Sequence, residues 1–313
     1  MRYSKIGICL TDRCNARCRM CCFSCGPEKS LVFHEEQLES LIEQASRIEG
    51  IRAIGLSGGE AMLYPDLVKH CVNSICIHGM QATLTTNGFW ADTEEHALTR
   101  LEELKEQGLS SLSVSIDACH LEYIDITCTV NILRANRKTG IPLTLAMGDV
   151  RNSRRAFDII KDLDSDIYET NVVIYPFLPV GSGESLDPDS TVFKPFHRDW
   201  TCPAGGELLI GADGKVYPCC SQGAYKSVLS NGSIHSASLK ELVGSYERFC
   251  YFSLLNQKGF GWFYEILRNI EKIELPCEYV SPCHLCHTIF SNEEICKRLT
   301  PYAEQYLLYH VTK

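Results

Sequence analysis

Cys14, Cys18 and Cys21 stand in a C-x3-C-x2-C spacing directly after a short apolar run. Three thiolates so close in sequence can each bind a different iron of one 4Fe-4S cluster, leaving the fourth iron without a protein ligand. An iron left open in this way can take a substrate or a cofactor. The chain holds 18 cysteines in 313 residues, and at that frequency the spacing arises by chance about 0.06 times in such a chain. A second set lies far downstream, comprising Cys202, Cys219 and the C-x2-C pair Cys283 and Cys286, with Cys277 and Cys296 as alternates. Four thiolates can close around a 4Fe-4S cluster or a zinc ion, and spacing alone does not choose between them. Cys283-His-Leu-Cys286-His287 also fits the attachment motif of c-type haem, but that chemistry normally needs an exported chain.

The composition narrows the partners. The net charge is −9, from 30 Lys and Arg against 39 Asp and Glu, so a nucleic-acid partner is not expected. No apolar run approaches the roughly 18 residues of a membrane span. The N-terminus runs straight into a strand pattern without the apolar core of a signal peptide, so a cytoplasmic location is expected. Cytosolic thiols stay reduced, which turns the cysteines from disulfides to metal ligands and core residues. Cys9, Cys71, Cys76, Cys119 and Cys128 fall in strand or helix patterns and read as core. Cys22 and Cys25 adjoin the first set, with Cys25 a candidate extra thiol.

Periodicity supplies the elements that must position these residues. Strand patterns at 6–10, 53–56, 82–86, 112–116, 143–147 and 172–177 alternate with helical patterns at 35–48, 63–77, 94–106, 123–137 and 156–163. Six β/α repeats predict an α/β fold, a partial (β/α)6 TIM-type barrel with a parallel sheet. A loop-like stretch follows from Pro179 to Pro195. Residues 207–210 and 215–217 then read as a β-hairpin around Gly211-Ala-Asp-Gly214, and 254–273 and 292–308 read as helices. The aromatics from Phe249 to Tyr264 read as helix packing. The expected organisation is a barrel over 1–195 and a smaller unit over 196–313 in which the hairpin and C-terminal helices hold an auxiliary cluster. The first cysteine set then sits at the C-terminal end of the barrel strands, where barrel active sites are built. Gly58-Gly59-Glu60 ends the second strand, Thr86-Asn87-Gly88 the third, Ser115 and Asp117 the fourth, and Pro179–Gly183 the sixth. Alone, Asn-Gly is more often a turn and Ser-x-Asp a helix cap.

Together these motifs resemble the radical S-adenosylmethionine (SAM) superfamily. The resemblance implies that Cys14, Cys18 and Cys21 hold a SAM-binding 4Fe-4S cluster. It implies that Gly58, Gly59 and Glu60 hold the SAM amino group and that Asn87 adjoins the cofactor. Ser115 and Asp117 would contact its carboxylate or ribose, and Gly181 would lie near adenine. Met20 departs from the aromatic that many relatives carry before the third cysteine. Cys202, Gly214-x4-Cys219, Cys283 and Cys286 resemble the twitch domain, a shortened SPASM domain, which favours a second 4Fe-4S cluster over zinc.

Four local strings are similar, in order, to radical SAM peptidyl epimerases of the epipeptide pathway: Cys18-Arg-Met-Cys21-Cys22-Phe23-Ser24, Thr86-Asn87-Gly88-Phe89-Trp90, Val216-Tyr217-Pro218-Cys219-Cys220-Ser221 and Gly259-Phe260-Gly261-Trp262-Phe263. That resemblance implies L-to-D inversion in a ribosomally synthesised precursor peptide. A 5′-deoxyadenosyl radical would remove the α-hydrogen, and a thiol would return hydrogen to the opposite face. Cys220 occupies the donor position, and Glu207 stands where the family has a carboxylate near the substrate. An electron donor such as a flavodoxin or ferredoxin is implied as well. Two other readings are open, a radical SAM maturase forming thioether or carbon–carbon crosslinks, and a non-catalytic metal-binding or regulatory protein.

Overall fold

A computed structural model describes residues 3–203, 206–246 and 250–311. The first part alternates strand and helix as β1 (Lys5–Cys9), α1 (Glu35–Ser46), β2 (Ala53–Ser57), α2 (Pro65–Ile77), β3 (Gln81–Thr86), α3 (Glu94–Glu106), β4 (Leu109–Ser115), α4 (Ile126–Thr139), β5 (Leu143–Asp149), α5 (Ala156–Leu163) and β6 (Asn171–Pro176). Local chemistry sets several of the ends. Thr93 accepts a bond from the His96 N–H at 3.1 Å and starts α3. Asp125 does the same for α4 through the Thr127 N–H at 2.8 Å, which moves that start past the expected Tyr123. Gly140 closes α4 in the left-handed conformation at φ 67°. The alternation produces the parallel, partial-barrel α/β fold read from the sequence.

The remainder contributes β7 (Lys194–Pro195), β8 (Glu207–Ile210), β9 (Val216–Tyr217), α6 (Leu239–Tyr246), α7 (Cys250–Glu265), β10 (Glu278–Tyr279), α8 (Pro282–Phe290) and α9 (Glu293–Val311). The expected hairpin forms as β8 and β9. It does not stand apart from the barrel, because β8 runs parallel to β1 with Lys5 opposite Glu207 and Ile8 opposite Ile210. One sheet therefore runs β6-β5-β4-β3-β2-β1-β8-β9, and β7 and β10 form a separate pair. Leu208, Ile210, Val216, Leu239, Leu242 and Tyr246 join the barrel's own apolar core. A second core gathers Leu254, Phe260, Phe263, Leu267, Leu285, Phe290 and Leu299.

The expected single helix over 254–273 is interrupted. Gly259 adopts φ 67°, ψ −178° inside α7, and a π-turn follows at Ile266–Ile270. At the break the Phe260 N–H donates to the Trp200 carbonyl at 2.9 Å, so the segment leading to Cys202 wedges into the helix. Phe249 lies outside the described residues, and the later aromatics Phe260, Phe263 and Tyr264 pack in the second core. Cys9, Cys71, Cys119 and Cys128 are buried, and half-buried Cys76 donates to the Gly108 carbonyl at 3.2 Å. No helix among the described residues is long and apolar enough to cross a membrane.

Candidate functional site

The loop after β1 is zipped to the loop after β2. The Gly59 N–H donates to the Thr11 carbonyl at 2.8 Å and the Glu60 N–H to the Arg13 carbonyl at 2.9 Å. A Cβ at Gly58, where φ is 134°, would stand 2.4 Å from the Thr11 oxygen, and one at Gly59 would stand 2.1 Å from the Arg13 oxygen. Both glycines are thus required by the close passage of the cysteine loop itself. Beneath that contact lies a cavity of about 220 Å³ whose wall includes Cys14, Cys18, Cys21, Gly58, Gly59, Glu60, Asn87 and Ser115.

Glu60 is 1% exposed and ties the loops together. Its Oε1 accepts from the Met62 N–H at 2.9 Å and the Thr86 hydroxyl at 2.7 Å, and its Oε2 accepts from the Asn87 N–H at 2.7 Å. Burial raises its pKa against the pull of those donors. Oε2 keeps a lone-pair direction free for a further donor. Asn87 donates to Asn15 Oδ1 at 2.8 Å and lies 3.9 Å from Cys14 Sγ, so the turn after β3 meets the cysteine loop.

Asp117 and Gly181 occupy a different place. Asp117 accepts from the backbone N–H groups of Cys119, His120 and Gly148, and His120 Nδ1 lies 2.9 Å from its Oδ2. It is 1% exposed and does not line the cavity. Gly181, at φ 60°, backs onto the first cysteine loop. A Cβ there would stand 2.4 Å from the Cys22 carbonyl, and the neighbouring Ser182 N–H donates to the Cys21 carbonyl at 2.9 Å. Both residues therefore support the wall from behind.

The sulfur chemistry of this wall fits an iron–sulfur cluster. Cys14, Cys18 and Cys21 face one space. The Ala16 N–H points at Cys14 Sγ and the Cys25 N–H at Cys21 Sγ, both at 3.4 Å. Such N–H donors tune cluster sulfurs. Burial pushes the Cys14 thiol up to about 12, while contact with the Cys25 thiol brings Cys21 down to about 6. Loading iron must therefore displace a proton from Cys14. Among the described residues no three His, Cys, Asp or Glu side chains converge closely enough to hold a single metal ion.

The second set also gathers. Cys202, Cys219, Cys283 and Cys286 line a cavity of about 190 Å³ together with Cys220, Glu207 and Phe260. A Cβ at Gly223 would lie 2.1 Å from the Cys283 carbonyl, so the turn after Cys219 passes directly against the start of α8. Neither alternate takes part. Cys296 is buried and donates to the Ile289 carbonyl at 3.4 Å, and exposed Cys277 accepts from Arg268 at 3.5 Å. His287, the histidine of the haem-like motif, pairs with Glu184 at 3.1 Å. Cys220 is exposed at the cavity mouth. The cavity wall, which keeps part of the water away from it, and the negative charge of Glu207 push its thiol up to about 12. Glu207 in turn pairs with Lys5 at 3.1 Å, across the β1–β8 seam.

The two cavities are joined by one short segment. Cys219, Cys220 and Ser221 line the second, and the next residue, Gln222, lines the first. Gln222, His120 and Tyr175 were not legible as site residues. Burial works against a charged His120, but Asp117 and Cys18 hold it well above the usual histidine range. Tyr175 reaches the cavity from β6.

Residues 8–148 match the radical SAM superfamily, and residues 202–272 match an iron–sulfur cluster-binding domain, SPASM. Cys283 and Cys286 fall beyond the second match. A Bacillus subtilis (strain 168) protein with the provisional name peptide biosynthesis protein YydG is 26% identical, covering 97% of this chain and 98% of its own length. A GTP 3′,8-cyclase of Clostridium botulinum (strain Okra / Type B1) is 25% identical over 61% of each chain. Among solved structures, anSMEcpe with bound AdoMet and Cp18Cys peptide overlays with a TM-score of 0.56 at 14% identity, covering 98% of this chain and 99% of that one. BtrN in complex with AdoMet and 2-DOIA overlays at 0.51 and 16% identity, covering 84% and 90%. At these identities the overlays establish the shared fold.

Proposed function

The chain belongs to the radical SAM superfamily and carries a SPASM iron–sulfur domain, and from that premise we propose that it inverts L-residues of a ribosomally synthesised precursor peptide to the D form. The family's cofactors are SAM and a 4Fe-4S cluster, and the SPASM domain adds auxiliary iron–sulfur. When bound, they supply a carbon radical that removes a hydrogen atom from the substrate. A peptide substrate is supported by the name of the Bacillus relative and by the peptide bound to anSMEcpe.

In this reading Cys14, Cys18 and Cys21 hold the first cluster, and Cys202, Cys219, Cys283 and Cys286 the auxiliary one. Gly58, Gly59, Glu60, Asn87 and Ser115 bind SAM, with Asp117 and Gly181 shaping the wall behind it. Cys220 returns a hydrogen atom to the opposite face of the substrate carbon, and Glu207, fixed by Lys5, orients the peptide beside that thiol. A one-electron donor such as a flavodoxin or ferredoxin completes the reaction. The observation that carries the reading is the position of Cys220. Cys220 lines the second cavity, two residues from Gln222 on the first, which supports a hydrogen donor close to the SAM-binding wall but separate from it.

The test is to incubate the reconstituted enzyme in heavy water with SAM, a reductant and a synthetic precursor peptide of the epipeptide type. A thiol proton exchanges with solvent, so each inverted residue gains about one mass unit. Cys220→Ala is expected to keep cleaving SAM while the peptide stays unlabelled and all-L. A mass loss of about two units would replace inversion with crosslinking, and a Cys220→Ala enzyme that still inverts would remove the donor assignment.

A further inference from the structure

The eight-stranded sheet has two ends, and the chain treats them differently. At the β9 end the following segment covers the edge. The Val216 N–H donates to the Gly232 carbonyl and the Ile234 N–H to the Gly214 carbonyl, both at 3.0 Å, and Lys215 bridges to Ser233. At the other end β6 pairs only with β5, from Asn171 beside Thr144 to Pro176 beside Asp149. Among the described residues nothing pairs with its outer side. Alternate residues of such a strand turn their N–H and C=O groups outward, ready to pair with another chain.

Proteins commonly blunt an edge with charge, a bulge, brevity or proline. β6 carries only the last, at its final residue, Pro176. It is six residues long, reads Asn-Val-Val-Ile-Tyr-Pro, and keeps an unbroken register with β5. Val173 is 52% exposed and Ile174 51%. Neighbouring strand residues point to opposite faces, so apolar surface is bare on both sides of the edge. The strand also leads to the candidate site, because Tyr175 lines the first cavity together with the cysteines. Pro176, which has no N–H, ends the strand one residue beyond Tyr175.

We propose that the open edge of β6 is the docking strand for the substrate peptide, which pairs along it in extended form, lays apolar side chains over Val173 and Ile174, and leaves the strand at Pro176 to enter the cavity. The inference rests on the peptide reading above. Main-chain pairing supplies affinity with little demand on sequence, and the two aliphatic residues supply a preference for apolar side chains at two adjacent peptide positions, one on each face. A second copy of this chain is the competing occupant, and the experiment separates the two.

The measurement is hydrogen–deuterium exchange of the reconstituted enzyme with and without the peptide used in the mass test. Docking predicts slowed exchange across Asn171–Tyr175 on adding peptide, whatever reaction the peptide then undergoes. A peptide that is bound and modified while β6 exchange is unchanged overturns this inference and leaves the function standing. A peptide that does not bind overturns both. Two further results bear on the edge directly. Val173→Lys together with Ile174→Lys should raise KM for the peptide about tenfold or more, with SAM cleavage in the absence of peptide unchanged. Peptides N-methylated at successive single amides should lose affinity at alternate positions; a smooth profile overturns strand pairing. A dimer that the double lysine variant splits would give the edge to the second copy and overturn the proposal.

Discussion

Glu60 illustrates how a residue can be essential to a site through its neighbours. Its carboxylate joins the loops after β2 and β3, with Met62, Thr86 and Asn87 as donors, and its backbone N–H ties the loop after β1. Glu60→Ala leaves three buried donors without an acceptor, at about 1–3 kcal/mol each. The expected result is a loss of at least about 3 kcal/mol in denaturant unfolding of the metal-free protein, a readout independent of catalysis. At this scale the sequence was informative where chemistry demands rare types at tight spacing. The cysteines of each set line one cavity, and Gly58, Gly59 and Glu60 line the first. Asp117 and Gly181 were legible as neighbours of the site, but their burial behind the wall was not, because a motif states spacing and not which way a side chain turns. His120, Tyr175 and Gln222 carried no signal. Each is a common residue type that reaches the cavity only through the crossing of loops distant in sequence.

The elements act on the site through backbone-to-backbone approach. The turn after β9 and the start of α8 touch at Gly223 and Cys283, where a single added methyl group would fall 2.1 Å from an oxygen. Gly223→Ala should therefore separate the cysteines of the second cavity. After anaerobic reconstitution, iron per chain is expected to fall by about one cluster's share while the first cluster's spectrum persists. Unchanged iron content would mean that α8 can yield. Periodicity located the six strands and five helices of the barrel because short apolar runs and amphipathic faces are written in consecutive residues. It missed α6 and α8 and overran α7. The helix around Cys283 is short, and the interruption at Gly259 is decided by contact with Trp200, some sixty positions away in the chain.

For the whole molecule, the pairing of β8 with β1 merges two segments into one sheet and one core. Leu208, Ile210, Leu239, Leu242 and Tyr246 are each at most 3% exposed within it. At about 1.5–3 kcal/mol per buried apolar side chain, these five contribute on the order of 10 kcal/mol, comparable with the net stability of a typical protein. A fragment ending at residue 195 is accordingly expected to lose cooperative unfolding, as followed by circular dichroism against urea. A fragment that melts sharply would show that the barrel stands alone. The alternation of strands foretold a barrel, but no local pattern could announce that a hairpin two hundred residues along would complete its edge. The shared seam has a consequence for descent and for engineering. A cluster-bearing C-terminal half borrowed from another enzyme could not be attached like a bead on a string, since it must arrive with a strand already matched to Lys5–Ile8 and with a carboxylate to meet Lys5. New chemistries on this scaffold should accordingly arise by exchanging residues at the cavity mouths, and chimeras spliced near residue 195 should succeed only between parents whose first strands are interchangeable.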